Sequence, residues 1–188
     1  FLSILFGYEV PLLPIQLLWL NLVTDSFPAL ALGMEKGDPE IMDLPPRATN
    51  EPILDKDMIK ALVVQSIAIS VATLGAYLWG MEVYGTEPLT KARTITFVTL
   101  ITAELLRAYS SRSLTHSVFK IGFFSNKTMV KATLFAFFLL LIVLYVPFLE
   151  PIFDTFELGV MDWIAVAVFS IIPLIAGELY KIIVYRDK

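Results

Sequence analysis

Asn21, Thr24 and Asp25 stand inside an apolar run over residues 10–34. A run of that length can cross a bilayer as a helix, which takes about 20 apolar residues. A carboxylate far from both ends of such a helix costs roughly 2.5–3.5 kcal/mol on insertion scales. Something must offset that cost. In helical spacing the three residues fall at i, i+3 and i+4, so an amide, a hydroxyl and a carboxylate share one face. Pro28 follows three residues later. It has no backbone donor, and its ring clashes with the carbonyl of Thr24. The helix is therefore expected to loosen at the polar cluster and free carbonyl oxygens. Such a set of oxygens describes a hard-cation site. The structural alternative is that Asp25 pairs with a buried Arg or Lys and only holds helices together. Few basic residues lie deep in any apolar run here.

Glu104 is the second candidate. It follows a Thr-rich apolar stretch, with Arg107 one turn on. Either it pairs with Arg107 near the membrane surface, or it faces inward to the same ion as Asp25 while Arg107 snorkels outward. Other polar residues read more simply. Gln65 and Ser66 suit packing hydrogen bonds, and Glu178 with Lys181 reads as a structural i, i+3 pair. His116 sits in a polar stretch and reads as a solvated loop residue.

These residues must be positioned by membrane helices. Of 188 residues 57% are hydrophobic and only 17% are charged, against about 25% charged in ordinary soluble domains. The net charge of −4 argues against nucleic acid as a partner. With no cysteine and one histidine, disulfides, thiol catalysis and a histidine metal cluster are excluded.

The expected fold is all-α, a polytopic transmembrane helical bundle of five full spans plus the end of a sixth. Residues 1–8 are the tail of a span. Full spans follow at 10–34, 58–81, 89–109, 132–149 and 163–185. Gly33 is the expected stop of the first. Ser66 with Ser70, and Ala72 with Ala76, should let helices approach closely. Trp163, Tyr180 and Tyr185 suit the interface. The loop 33–57, with Pro39, Pro45, Pro46 and Pro52, reads either as a solvated linker or as a stiff strap touching another domain. The lysines and arginines of the loops 33–57 and 110–131 and of the C-terminus put those segments in the cytosol. The chain begins in mid-hydrophobic sequence without an initiator Met, and is expected to be a piece of a longer protein.

The stretch Pro14-Ile15-Gln16-Leu17-Leu18-Trp19-Leu20-Asn21-Leu22-Val23-Thr24-Asp25, then Pro28-Ala29 and Ala31-Leu32-Gly33, resembles the sixth transmembrane helix of P-type cation-transporting ATPases. It is most similar to the calcium pumps of the sarco/endoplasmic-reticulum type (type IIA) and their bacterial relatives. Asp38-Pro39-Glu40-Ile41-Met42-Asp43, Pro45-Pro46-Arg47 and Glu51-Pro52 resemble the loop that follows in those pumps. Ala103-Glu104-Leu105 resembles the eighth helix, and Tyr145-Val146-Pro147 the end of the ninth. The resemblance implies that residues 1–188 are the C-terminal cation-pump domain, from the end of the fifth helix to the tenth. It implies that Asn21, Thr24, Asp25 and Glu104 are metal ligands, with Asp25 serving both ions where two are bound. Ca2+ is then the transported ion, while Mg2+ and ATP belong to the parent protein only.

The family's fourth helix, its fifth-helix ligands, its Asp-Lys-Thr-Gly-Thr phosphorylation motif and its nucleotide domain lie outside these residues. The partners implied are cations, the lipid bilayer, and the remaining helices and cytosolic phosphorylation domain of the parent. The location implied is an integral multi-pass membrane protein, in the cell membrane if bacterial. Alone, the chain should neither turn over ATP nor bind calcium well. Calcium takes about 6–8 oxygens, and these four side chains reach the lower bound only if all converge. Two other classes stay open: a channel or carrier working without ATP, and a non-catalytic membrane scaffold subunit.

Overall fold

The computed structural model describes residues 2–37, 43, 54, 56–85 and 89–185. Among them the chain is helical: α1 Leu2–Leu5, α2 Pro14–Trp19, a π-helical turn Leu20–Thr24, α3 Ser26–Gly33, α4 Lys56–Tyr84, α5 Thr90–Ser110, α6 Val118–Ile121, α7 Lys127–Tyr145, α8 Glu150–Phe153 and α9 Val160–Val184. Four stretches are long and apolar enough to cross a membrane: Pro14–Gly33, Lys56–Tyr84, Lys127–Tyr145 and Val160–Val184. Helix α5 matches them in length but is less apolar. The structure thus supports four spans by length and composition, where the sequence predicts five and the end of a sixth. The six residues before Tyr8 form only the short α1 and a turn at Gly7, whose φ of 78° suits glycine.

Helix α5 forms the centre. It packs along both α4 and α9, which also pack on each other, and it touches α3, α7 and the π turn. Its Ile95, Phe97, Val98, Ile101 and Leu105 build the main core with Leu140, Val143, Leu144 and Val166. None of its residues is fully exposed, so little of its surface meets lipid and its low hydropathy costs little. Its threonines partly satisfy themselves: Thr94 Oγ1 donates to Thr90 O at 2.8 Å and Thr96 Oγ1 to Ala92 O at 2.6 Å.

The α4–α5 approach is closest at Gly80, where an added Cβ would lie 2.8 Å from the Cα of Ala92. Ala72 and Ala76, on the same stripe as Gly80, are fully buried, as the small-residue spacing predicts. Ser66 and Ser70 face outward instead. Gln65 lies against Gly177 of α9, and its Oε1 is buried without a hydrogen-bond partner among the described residues. The packing hydrogen bond expected of it is not formed.

Helix boundaries follow their caps. Helix α3 stops at Gly33 as expected. Helix α7 starts at Lys127 rather than 132, because Asn126 Oδ1 accepts from Met129 N at 2.9 Å. It ends at Tyr145, two residues before Pro147. Trp163 Nε1 donates to Tyr145 Oη at 2.9 Å, and Tyr180 Oη to Asp57 O at 3.2 Å.

Candidate cation site

The candidate site begins with a disrupted helix. Pro14 opens α2, where a missing donor costs little. Gln16, fully buried, accepts from Leu13 N and donates to Phe153 O at 2.9 Å. That ties the helix entrance to α8, as does the edge-on contact of Trp19 and Phe153. Nothing in the local sequence spacing singles out Gln16 for this. Its partner lies 137 residues on.

From Leu20 the helix widens. Asp25 N donates to Leu20 O at 3.2 Å, an i to i+5 bond that closes a π turn. The loosening expected from Pro28 is therefore present, and it falls on the polar cluster. Regular α geometry resumes only past it, with Ala29 N bonded to Asp25 O at 3.1 Å.

The π turn also alters which residues align. With bonds spanning five residues, positions four and five apart stack better than those three apart. Asn21 and Asp25 accordingly share the exposed face, while Thr24 turns into the bundle and is 3% exposed. The expectation of one common face holds for Asn21 and Asp25 but not for Thr24. No hydrogen bond or ion pair among the described residues reaches the Asp25 carboxylate. The structural alternative, Asp25 paired with a buried Arg or Lys, is not formed among the described residues.

Glu104 approaches from α5. Helix α5 packs against the π turn that ends at Asp25. Glu104 is itself paired with Arg107, whose Nε donates to Oε2 at 2.9 Å and whose Nη2 lies 2.8 Å from the same oxygen. Both contacts use one oxygen, and Oε1 takes no bond among the described residues. Of the two readings of Glu104, the pair with Arg107 is formed. Its side chain is 17% exposed. No group of three His, Cys, Asp or Glu residues able to hold a metal ion occurs among the described residues. Asn21, Thr24, Asp25 and Glu104 offer at most six side-chain oxygens, from three directions.

Two further polar clusters hold the end of α5 where Arg107 lies. Glu178, buried on α9, accepts from Ser110 Oγ at 2.6 Å, Ser117 Oγ at 2.5 Å, Val118 N at 2.9 Å and Lys181 Nζ at 3.1 Å. Lys181 Nζ also donates to Ser110 O, and to His116 O at 3.2 Å. The expected structural pair of Glu178 and Lys181 is thus formed, and His116 sits in a loop. The second cluster centres on Arg112. It donates from Nε and Nη2 to the two oxygens of Glu35 at 2.8 and 2.9 Å, and from Nη1 to Gly122 O at 2.9 Å. Asn126 Nδ2 adds a bond of 2.6 Å to Glu35. The Arg112 guanidinium holds the Glu35 carboxyl below its ordinary value. The loop 33–57, expected to couple to another domain, lies mostly outside the described residues.

Comparison with known proteins places the chain in a family. The family described as "Cation transporting ATPase, C-terminus" matches residues 9–183. "Calcium-transporting ATPase" of Bacillus subtilis is 39% identical over 181 residues, 94% of this chain and 20% of that protein. "Calcium-transporting ATPase 1" of Bacillus cereus is 34% identical over 97% of this chain and 22% of its own length. "Calcium-transporting ATPase 1" of Yarrowia lipolytica is 37% identical over 93% of this chain and 19% of its own length. The chain thus spans about a fifth of the length of these relatives. With the match running through the π turn, α5 and α9 alike, the chain belongs to the C-terminal membrane region of the cation-transporting ATPases.

Proposed function

We propose that this chain is the membrane part of an ATP-driven calcium pump, and that Asn21, Thr24, Asp25 and Glu104 are its share of the ion ligands. One observation carries the reading. A carboxylate in the middle of an apolar helix has no ionic partner among the described residues, at the end of a π turn that packs against α5, the helix carrying Glu104. The exposure of Asn21 and Asp25 fits a half-site completed by the remaining helices of the parent. Six oxygens at best fall at the lower limit for calcium, so the isolated chain binds it weakly or not at all.

Helix α5 acts as the fifth span in this reading. Its 21 residues reach about 30 Å at 1.5 Å per residue, the thickness of the hydrocarbon core. Residues 1–188 then run from the end of the parent's fifth helix to its tenth, in the cell membrane if the source is bacterial. ATP and Mg2+ act in the parent's cytosolic domains, and the loop 33–57 conveys their movement to the helices. In the cycle, Asp25 is the central ligand. Glu104 exchanges Arg107 for the ion through its uncommitted Oε1, and protons replace the exported ion on the emptied carboxylates.

The test is Asp25→Asn in the parent pump, read as calcium-dependent phosphorylation from ATP. Loss of that dependence is expected. An unchanged calcium response would remove Asp25 from the site.

A further inference from the structure

A cleft of about 660 Å³ opens between the end of α3 and the loop joining α5 to α7. The transport reading does not use it, and its charge pattern stands independently of that reading. The Arg112–Glu35 pair lines it, and Lys36, Lys120 and Lys127 stand around it. These three lysines are exposed, and none takes part in an ion pair or side-chain hydrogen bond among the described residues. Glu35 is the one carboxylate lining the cleft among the described residues, and Arg112 occupies both its oxygens. The cleft therefore carries surplus positive charge with nothing among the described residues to neutralise it.

Its position selects the counter-charge. Gly33 ends one apolar span and Lys127 begins another, so the cleft lies at headgroup level if the two spans cross. On the same loop Phe119 and Phe124 are 77% and 75% exposed. Phe119 precedes Lys120 directly, and Phe124 lies three residues before Lys127. Bare phenyl rings interleaved with lysines gain nothing in water. At a bilayer surface the rings enter the acyl boundary while the ammonium groups meet phosphates.

We propose that this cleft binds the phosphate-bearing headgroup of an anionic glycerophospholipid, with Lys36, Lys120 and Lys127 around the phosphate and Phe119 and Phe124 seated in the acyl boundary. A zwitterionic lipid brings its own cation and gains less from the surplus charge.

The test uses the full chain, delipidated in a neutral detergent, with lipid retention read by native mass spectrometry. Phosphatidylglycerol should be retained over phosphatidylcholine. Lys120→Gln and Lys127→Gln should each weaken its retention about fivefold. Lys131→Gln removes the same charge from an exposed site outside the cleft, and should change retention by less than about twofold. Unfolding midpoints in neutral detergent alone should match wild type, since none of these lysines holds a partner among the described residues. Equal loss from Lys131→Gln overturns the proposal, because only diffuse surface charge would then be at work. Equal retention of phosphatidylcholine overturns it, as does displacement of the lipid by inorganic phosphate at equal concentration. Capture of soluble polyglutamate in place of lipid would reassign the cleft to an acidic protein partner.

Discussion

Replacing Arg112 with Gln should be among the most damaging changes outside the cation site. The Arg112 side chain is 1% exposed and gives two bonds to Glu35, one to Gly122 O and one of 2.6 Å to Ser125 Oγ. Truncation leaves the Glu35 carboxylate, 16% exposed, with Asn126 as its remaining donor. Breaking a buried pair by removing one partner costs about 3–5 kcal/mol. The surviving Asn126 bond and the residual exposure of Glu35 place this case at the low end, about 3 kcal/mol. Glu35→Gln should cost about 2 kcal/mol, because the guanidinium keeps its carbonyl and hydroxyl acceptors. The double variant should cost less than the sum, with a coupling of about 2 kcal/mol. Equilibrium unfolding in mixed micelles measures all three.

The same pair sets a pH signature. The folded Glu35 carboxyl sits below its ordinary 4.5. Its contribution is therefore complete above pH about 4.5 and is lost as the pH falls through the lowered value. Wild type should lose stability on that acid limb, and Arg112→Gln should lose less there. An Arg112→Gln cost under about 1 kcal/mol, or an identical acid limb in both proteins, would refute the account.

The packing and the site give three more expected outcomes. Gly80→Ala should cost about 1–3 kcal/mol, since the new Cβ meets backbone at Ala92 that cannot rotate away. Gly177→Ala should cost less than Gly80→Ala, because the nearest atom its Cβ meets is the amide end of the Gln65 side chain at 2.0 Å, which can turn aside, while Ser110 Oγ at 3.2 Å need give only slightly. Unfolding of both variants side by side checks the contrast. Glu178→Gln removes the charge that faces the buried Lys181 ammonium, which keeps its bonds to Ser110 O and His116 O, and should cost about 3 kcal/mol, read the same way. Calorimetry on the isolated chain should find no calcium binding of micromolar strength or tighter. Such binding would mean that these residues alone complete the coordination shell.

The spans are legible in the sequence where lipid-facing apolarity dictates the residues. The end of α3 at Gly33 and the weakening at Pro28 can both be read from the chain. Hydropathy places the start of α7 more than one turn late. Lys127 and Lys131 interrupt the apolar run, yet a helix begins at its cap, Asn126, and not where hydropathy rises. Arg112 reads only as one charge in a basic loop, because its partner Glu35 lies 77 residues away and no local spacing connects them. Spacing of the α type groups Thr24 with Asn21 and Asp25. The proline's effect is foreseeable, but the π turn that rotates Thr24 inward depends on how the backbone relaxes around it. Ser66 and Ser70 have the same spacing as Ala72 and Ala76, and only packing decides which stripe meets a neighbour.

The two candidate carboxylates stand on helices of opposite character, and that contrast bears on the proposed function. Glu104 belongs to α5, packed along α4 and α9 and fastened at its end through Ser110 to Glu178 and Lys181. Moving it means breaking buried ionic bonds, so its backbone is a fixed reference. Asp25 terminates a π turn whose bonds are fewer and longer in reach, next to a proline that withholds a donor from Thr24. Its backbone can shift between π and α spacing at the cost of roughly one hydrogen bond, about 1 kcal/mol. On the proposed ligand set, an ion held between a fixed carboxylate and an adjustable one would be gripped or released by the second alone. If that is so, Pro28→Ala, which restores the missing donor, should regularise the turn and stabilise the chain while slowing ion release in the parent. A variant that was more stable and equally fast would show that the π turn has no part in transport.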